Sequence, residues 1–148
     1  MILYVDTSAL VKKYFKETGS KEVIYSWKEA EAIVTSSVAY AETMACFYRK
    51  KREAIINDKL FDTIIASFQN DWKSFILVQV NNDLNEIIDT VVALYPLRGF
   101  DSIHLASALI VYKTIKKKFL FACFDQRLSS AAKSEGLQTL PVNISPMS

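Results

Sequence analysis

The chain has 148 residues, of which 51% are hydrophobic and 23% are charged, with only 3 Gly and 3 Pro. This composition excludes a disordered or fibrous protein. It predicts one folded domain over residues 1–148, with long helices and few long loops. The formal net charge of +2 neither requires nor excludes a polyanionic partner, so the positions of the charges carry the information.

The N-terminus and the cysteines bear on localisation. The N-terminus lacks a basic segment ahead of its apolar run and reaches an aspartate at position 6, unlike a signal peptide. No apolar run approaches the roughly 20 residues that span a bilayer. Cys46 and Cys123 form no CxxC pair and make a weak case for a disulfide. We therefore expect a cytoplasmic protein with no membrane segment.

Short apolar runs alternate with longer amphipathic segments along the chain. The pattern predicts strands at residues 2–5, 32–35, 119–124 and 138–142. Residues 75–80 fit either a strand or the end of the preceding helix. Helices, with their caps, are predicted at residues 7–15, 21–29, 36–52, 57–72, 82–95, 101–117 and 125–135. This order predicts an α/β fold with a central parallel sheet.

Two aspartates directly follow predicted strands. Asp6 follows the first apolar run, and Asp125 follows the run at residues 119–124. Each of them alone is most simply a helix N-cap. Together they are expected at the carboxyl ends of the strands, where open α/β sheets bind their ligands.

Two further acids occupy unusual positions on predicted helices. Glu42 shares a helix face with Val38, Ala45 and Cys46, an apolar stripe on which an uncompensated carboxylate is costly. Asp101 is predicted to begin a helix, where exposed amide groups favour an anion. On its own, Asp101 is therefore also most simply an N-cap.

The four acids suggest one site when they are taken together. If Asp6, Glu42, Asp101 and Asp125 converge, their charges repel one another until a divalent cation neutralises them. Carboxylate oxygens suit Mg²⁺ or Mn²⁺, and no His-Cys set has the spacing of a structural zinc site. Such a site favours phosphodiester hydrolysis over acyl transfer, because no Ser-His-Asp or Cys-His arrangement is present.

Four segments carry this pattern: YVDTSALVKKYF, SSVAYAETMACFYR, LRGFDSIHLASAL and FACFDQRLSSAAKSEGL. They resemble the motif regions of PIN-domain ribonucleases, most closely those of the VapC-type toxins of toxin–antitoxin pairs. The resemblance implies a three-layer PIN-like domain in which Asp6, Glu42, Asp101 and Asp125 hold Mg²⁺ or Mn²⁺ and form the catalytic cluster. It also implies an RNA substrate, a homodimer and a small antitoxin that occludes the site.

Several residues near the motifs are candidates for supporting roles. The resemblance implies that Thr7 or Ser8 holds the first motif near the metal. Arg98, just before the third acid, is either a substrate contact or a solvated loop charge. His104 is interpreted as a partly buried structural residue. The family often carries Thr or Ser two residues before the last acid. Cys123 stands there instead, which puts a polar contact in question but no carboxylate.

Two other functions are consistent with parts of the sequence. The main alternative to the endoribonuclease is a non-catalytic RNA- or protein-binding module on the same fold. An aspartyl-nucleophile phosphatase is disfavoured, because Asp6 is followed two residues later by Ser8 rather than by a second aspartate. The basic clusters at residues 12–13, 49–52 and 116–118 fit either RNA contacts or solvated helix faces.

Overall fold

Five strands, seven α-helices and one short 3₁₀-helix (Asn82–Leu84) follow one another along residues 1–54 and 56–142, the part of the chain that the computed structural model describes. The strands are β1 (Ile2–Val5), β2 (Ala32–Ser36), β3 (Ile76–Val78), β4 (Phe119–Ala122) and β5 (Gln138–Leu140). The helices are α1 (Thr7–Tyr14), α2 (Ser20–Glu29), α3 (Ala39–Glu53), α4 (Asp58–Trp72), α5 (Asn85–Leu94), α6 (Gly99–Thr114) and α7 (Gln126–Ser134). No helix in these two ranges is both long enough and apolar enough to cross a membrane.

The strands form one parallel sheet in the order β3-β2-β1-β4-β5, which confirms the predicted α/β fold. β1 is central, with Tyr4 in register with Val34 of β2 and with Phe121 of β4. Because the strands are parallel, all of their carboxyl ends lie along the same side of the sheet. That side is called the carboxyl edge below, and it is where β1 ends at Val5 and β4 at Ala122. The opposite side, where the strands begin, is called the amino edge.

Alternate residues of β1 point to opposite faces of the sheet, and each face is covered by its own helices. Tyr4 packs with Leu105 and Leu109 in a core formed with α5, α6 and α7. Leu3 and Val5 face a second core, formed with α1, α2, α3 and α4, in which aromatic side chains are abundant. The sheet therefore lies between two helical layers, as a parallel sheet requires.

Two predicted boundaries are wrong by two residues at the ends that matter for function. α6 begins two residues earlier than predicted, because Arg98 is the last residue with an extended backbone. Asp101 therefore lies in the first turn of α6 and is not its N-cap. β4 ends at Ala122, and the amide of Phe124 donates to Ser8 Oγ, so the chain leaves the sheet earlier than its apolar sequence predicts.

Candidate active site

Asp6 is the buried acid where β1 meets α1. Its Oδ1 accepts from the Ala9 amide at 2.9 Å and from Ser8 Oγ at 2.7 Å, so Asp6 is the N-cap of α1. Ser8 Oγ also accepts from the Phe124 amide at 2.9 Å, which ties this turn to the loop after β4. Burial raises the pKa of Asp6, and the nearby His104 imidazole and the hydrogen bonds offset only part of that increase. The charge of Asp6 is thus incompletely compensated.

Glu42 lies in the first turn of α3, and one of its oxygens takes two hydrogen bonds. Oε1 accepts from Thr7 Oγ1 at 2.7 Å and from His104 Nε2 at 2.9 Å. Burial raises the pKa of Glu42, but the hydrogen bonds from His104 and Thr7 outweigh it, so the pKa is lowered overall. Its helix neighbours Ala45 and Cys46 line the same open cleft, where Ala45 is exposed and Cys46 is partly buried against the second core.

His104 is the site residue whose contact with an acid the sequence interpretation missed. Its side chain is only 3% exposed, and its Nδ1 lies 2.9 Å from the buried Tyr4 hydroxyl. Because an ionised carboxylate can only accept, Nε2 donates to Glu42, and Nδ1 contacts the Tyr4 hydroxyl on the other side of the ring. The signal that could have found this contact is Tyr4 itself, because a tyrosine in an otherwise apolar, buried strand needs a partner for its hydroxyl.

Asp101 and Asp125 approach each other beside one arginine. Asp125 accepts from the Leu128 amide at 3.0 Å and is the N-cap of α7. Arg98 lies 3.7 Å from Asp101 Oδ2 and 3.8 Å from Asp125 Oδ2, and its side chain is 78% exposed. Burial, Asp125 and Asp6 raise the pKa of Asp101, while Arg98 lowers it in part. Arg98 therefore compensates the two acids incompletely, over long distances and in solvent.

The structure brings Asp6 and Asp125 into electrostatic range of Asp101, and Glu42 lines the same cleft as Asp101. In the part of the chain that is described, no three His, Cys, Asp or Glu side chains are already gathered closely enough to hold a metal ion. The donor chemistry nevertheless fits a hard divalent cation, because all four side chains are carboxylates. A cation would also remove the repulsion that raises the pKa of Asp101.

A cavity of about 780 Å³ opens beside these acids. Glu42 and Asp101 contribute to its lining, and Phe100, at the start of α6, stands 59% exposed next to them. The remaining lining includes basic side chains, namely Lys12, Arg49, Lys50 and Arg98. Lys13 does not join them, since its Nζ is bound to Asp71 at 2.6 Å. A cleft that carries both acids and cations suits a polyanion that is cut along its backbone.

Cys123 takes the place of the expected hydroxyl and makes a comparable contact. Its Sγ accepts from the Asp125 amide at 3.3 Å, and the side chain is fully buried. Burial raises the pKa of the Cys123 thiol, so it adds no charge to the acids. Both cysteines are free, and neither forms a disulfide.

Comparisons with known proteins agree with this architecture. The family model of the PIN domain matches residues 3–134. Ribonuclease VapC49 of Mycobacterium tuberculosis is 30% identical over 149 residues, which cover 98% of this chain and 99% of that protein. The structure of FitAcB from Neisseria gonorrhoeae has a TM-score of 0.66 at 14% identity, over 99% of both chains. VapC20 of M. tuberculosis, a sarcin-ricin loop cleaving toxin, has a TM-score of 0.58 at 18% identity, over 87% of this chain and 94% of that one.

The chain therefore belongs to the PIN-domain family. Its similarity along the whole length of VapC49 identifies it as a VapC-type member, as the four motif segments predicted. The sheet between two helical layers is the three-layer fold that the resemblance implied.

Proposed function

We propose that this protein is a metal-dependent endoribonuclease that hydrolyses RNA phosphodiester bonds, with Asp6, Glu42, Asp101 and Asp125 as its catalytic, metal-holding acids. The observation that carries the proposal is the crowding of negative charge at the carboxyl edge. There, burial together with the charges of Asp125 and Asp6 raises the pKa of Asp101. Acids kept together against their own repulsion are characteristic of functional sites. The similarity to the VapC ribonucleases supports the same assignment.

Neighbouring side chains position the proposed metal-holding acids. When bound, Mg²⁺ or Mn²⁺ supplies a water of lowered pKa and neutralises charge on the scissile phosphate. Ser8 holds Asp6 in place, and Thr7 and His104 orient Glu42. Arg98 is exposed and only loosely paired, so it is free to turn from the acids to a substrate phosphate.

We extend the proposal to a toxin of a toxin–antitoxin pair, active as a homodimer and inhibited by a small antitoxin that occludes the cleft. The similarity to VapC proteins supports this role, and exposed apolar side chains such as Leu60 and Leu94 offer contact area for protein partners. Expression of the protein should arrest growth, and co-expression of the cognate antitoxin should relieve the arrest. Light scattering of the purified protein should give twice the chain mass.

The decisive experiment is cleavage of total cellular RNA by the purified protein with Mg²⁺, with Mn²⁺ and with EDTA. Glu42→Gln removes one proposed acid, and Glu31→Gln is the matched control, because Glu31 lies at the amino edge and is bound to Lys117. We expect metal-dependent cleavage by the wild type and by Glu31→Gln, and its loss in Glu42→Gln.

Two results would contradict parts of this proposal. Cleavage that persists in Glu42→Gln at the wild-type rate would remove Glu42 from the catalytic set. Tight RNA binding without turnover in either metal would favour the non-catalytic binding module instead.

A further inference from the structure

Glu17 binds two lysines of the cleft at once. Its Oε1 accepts from Lys12 Nζ at 2.9 Å, and its Oε2 accepts from Lys50 Nζ at 2.9 Å. All three residues line the same cavity as Glu42 and Asp101. Burial raises the pKa of Glu17, but the two lysines outweigh it and lower the pKa overall. Glu17 is therefore a stable anion clamped between two cations inside the cleft.

The two lysines are held in place by aromatic rings as well as by Glu17. Lys12 Nζ lies 4.6 Å from the centre of the Phe124 ring, and Lys50 Nζ lies 5.5 Å from the centre of the Phe15 ring. Such cation–π contacts keep the ammonium groups near their positions even when a third group changes. The cations do not depend on Glu17 alone for their arrangement.

The loop that carries Glu17 is itself firmly built. The Glu17 amide donates to Ser20 Oγ at 2.9 Å, and Ser20 Oγ donates to the carbonyl of Phe15 at 3.1 Å. Gly19 adopts a φ of 96°, and an added Cβ there would lie 2.5 Å from the Phe124 ring. This turn favours glycine, because other residues rarely adopt a positive φ. The turn and its hydrogen bonds fix the backbone of the loop that carries Glu17.

Two ammonium groups that each donate to one oxygen of a carboxylate present the arrangement that a phosphate would also satisfy. We propose that Lys12 and Lys50 form a phosphate subsite for the RNA backbone, and that Glu17 occupies this subsite in the free protein until an RNA phosphate displaces it. This inference rests on the proposed ribonuclease function. Glu17 thereby weakens sequence-independent binding, because each phosphate bound there must first break two ion pairs.

The ion pair of Glu31 and Lys117 at the amino edge provides a control for the effect of breaking a salt bridge outside the cleft. Lys117 Nζ donates to Glu31 at the same distance of 2.9 Å, but neither residue lines the cleft. Glu31→Gln and Glu17→Gln therefore remove the same charge, and each frees two ammonium groups: Lys117 and the N-terminus in the first, and Lys12 and Lys50 in the second. Only the second of them frees lysines where RNA is proposed to bind.

The test measures binding of a short, fluorescently labelled single-stranded RNA of mixed sequence to the protein. Binding is monitored by fluorescence anisotropy, in EDTA so that metal-dependent cleavage cannot begin. Titrations at several KCl concentrations give the dependence of log Kd on log salt. We expect Glu17→Gln to bind at least about threefold more tightly at low salt, because no ion pairs have to be broken first, and to keep a salt slope close to that of the wild type, because both complexes hold the same phosphate. Glu31→Gln should match the wild type.

Lys50→Gln provides the second arm. As a single substitution, it should bind the RNA more weakly than the wild type does. Combined with Glu17→Gln, it should abolish most of the gain in affinity, because the two substitutions act on one subsite. An equal change in Glu17→Gln and Glu31→Gln, or no change in either, would overturn the subsite. Metal-dependent cleavage of total RNA in the separate assay would stand in that case, so failure of the subsite is distinguishable from failure of the proposed function.

Discussion

The acids at the two edges of the sheet lie in different charge environments. At the amino edge, Glu31 accepts from Lys117 Nζ at 2.9 Å, and this contact lowers the pKa of Glu31. At the carboxyl edge, Asp101 and Asp125 share the exposed Arg98 at 3.7 and 3.8 Å. There, burial and the neighbouring Asp125 raise the pKa of Asp101 instead. One edge pairs its acid closely, and the other gathers acids that repel one another.

The fold does not impose this difference. Loops and helix ends meet both edges, and cations such as Lys12 and Lys50 lie near enough to the carboxyl edge to line the same cleft as the acids. They are bound to Glu17, however, and not to the proposed catalytic acids. Incompletely compensated charge on Asp6 and Asp101 at this edge is a local conflict of the kind that functional sites retain. The following predictions test whether that conflict serves catalysis.

Asp6→Asn should have the largest effect on activity. We expect metal-dependent RNA cleavage to fall by at least about 100-fold, since an electrostatic contact to the reacting centre is lost. Asparagine can still accept from the Ala9 amide, so the α1 cap and the fold should survive. Calorimetric titration with Mn²⁺ should show weaker binding in parallel. Wild-type cleavage by a folded Asp6→Asn protein would mean that this edge is not the active site.

His104→Ala should have the next largest effect, because His104 on α6 positions Glu42 on α3, across the two helical layers. Loss of a group that orients a metal ligand typically costs about 10–100-fold in metal affinity or activity. His104→Gln keeps an N–H donor of similar reach and should recover part of the Mn²⁺ affinity. Tyr4→Phe, which removes only the contact to Nδ1, should have a smaller effect on affinity. Equal Mn²⁺ affinity in His104→Ala and the wild type would leave His104 a purely structural residue.

The site residues differ in how well the sequence alone could predict them. Asp6 and Asp125 were predictable because their signal is local: each lies at or just beyond the end of an apolar run. Glu42 was selected because a carboxylate on an apolar helix face needs compensation, but the sequence could not name the groups that provide it, Thr7 and His104. The contacts that orient it join residues far apart in sequence, on β1, α1, α3 and α6, and periodicity within one helix carries no information about them.

The same limit applies to the basic side of the cleft. The sequence showed basic clusters near Lys12 and Lys50, but it did not reveal that Glu17 lies between them. That pairing depends on the turn at Gly19, whose backbone conformation brings a loop acid against the last part of α3. The parallel sheet, by contrast, followed from the order of short apolar runs and helices, because parallel strands have few ways to connect.

Asp101→Asn should stabilise the protein while it removes activity. Because the folded-state pKa of Asp101 is raised, its ionised form opposes folding above the ordinary aspartate pKa, and protonation at lower pH removes that penalty. We expect a gain of about 0.5–1 kcal/mol in the free energy of unfolding at neutral pH. The gain should fade as the pH falls through the raised folded-state pKa of Asp101 and should be absent below the ordinary aspartate value. Urea denaturation at neutral and acidic pH measures it.

The matched substitution at the amino edge sharpens the comparison. Glu31→Gln should not stabilise the protein, because Glu31 gains from Lys117 in the folded state. Mg²⁺ should reduce the advantage of Asp101→Asn if the cation relieves the repulsion in the wild type. A destabilised Asp101→Asn protein would show that the acids at the carboxyl edge are compensated after all.

Cys123→Ser should have the smallest effect, since it introduces the hydroxyl that the resemblance led us to expect at this position. The Cys123 sulfur already accepts from the Asp125 amide at 3.3 Å, and a serine oxygen can accept the same hydrogen bond. Cleavage should therefore stay within about threefold of the wild type, whereas Cys123→Ala leaves the buried amide without this acceptor and should cost about 1 kcal/mol of stability. A large loss of cleavage in Cys123→Ser would mean that sulfur has a role of its own beside Asp125. Retained cleavage in Cys123→Ser would mean that the position supplies only an acceptor, and that the chemistry of the carboxyl edge resides in the acids.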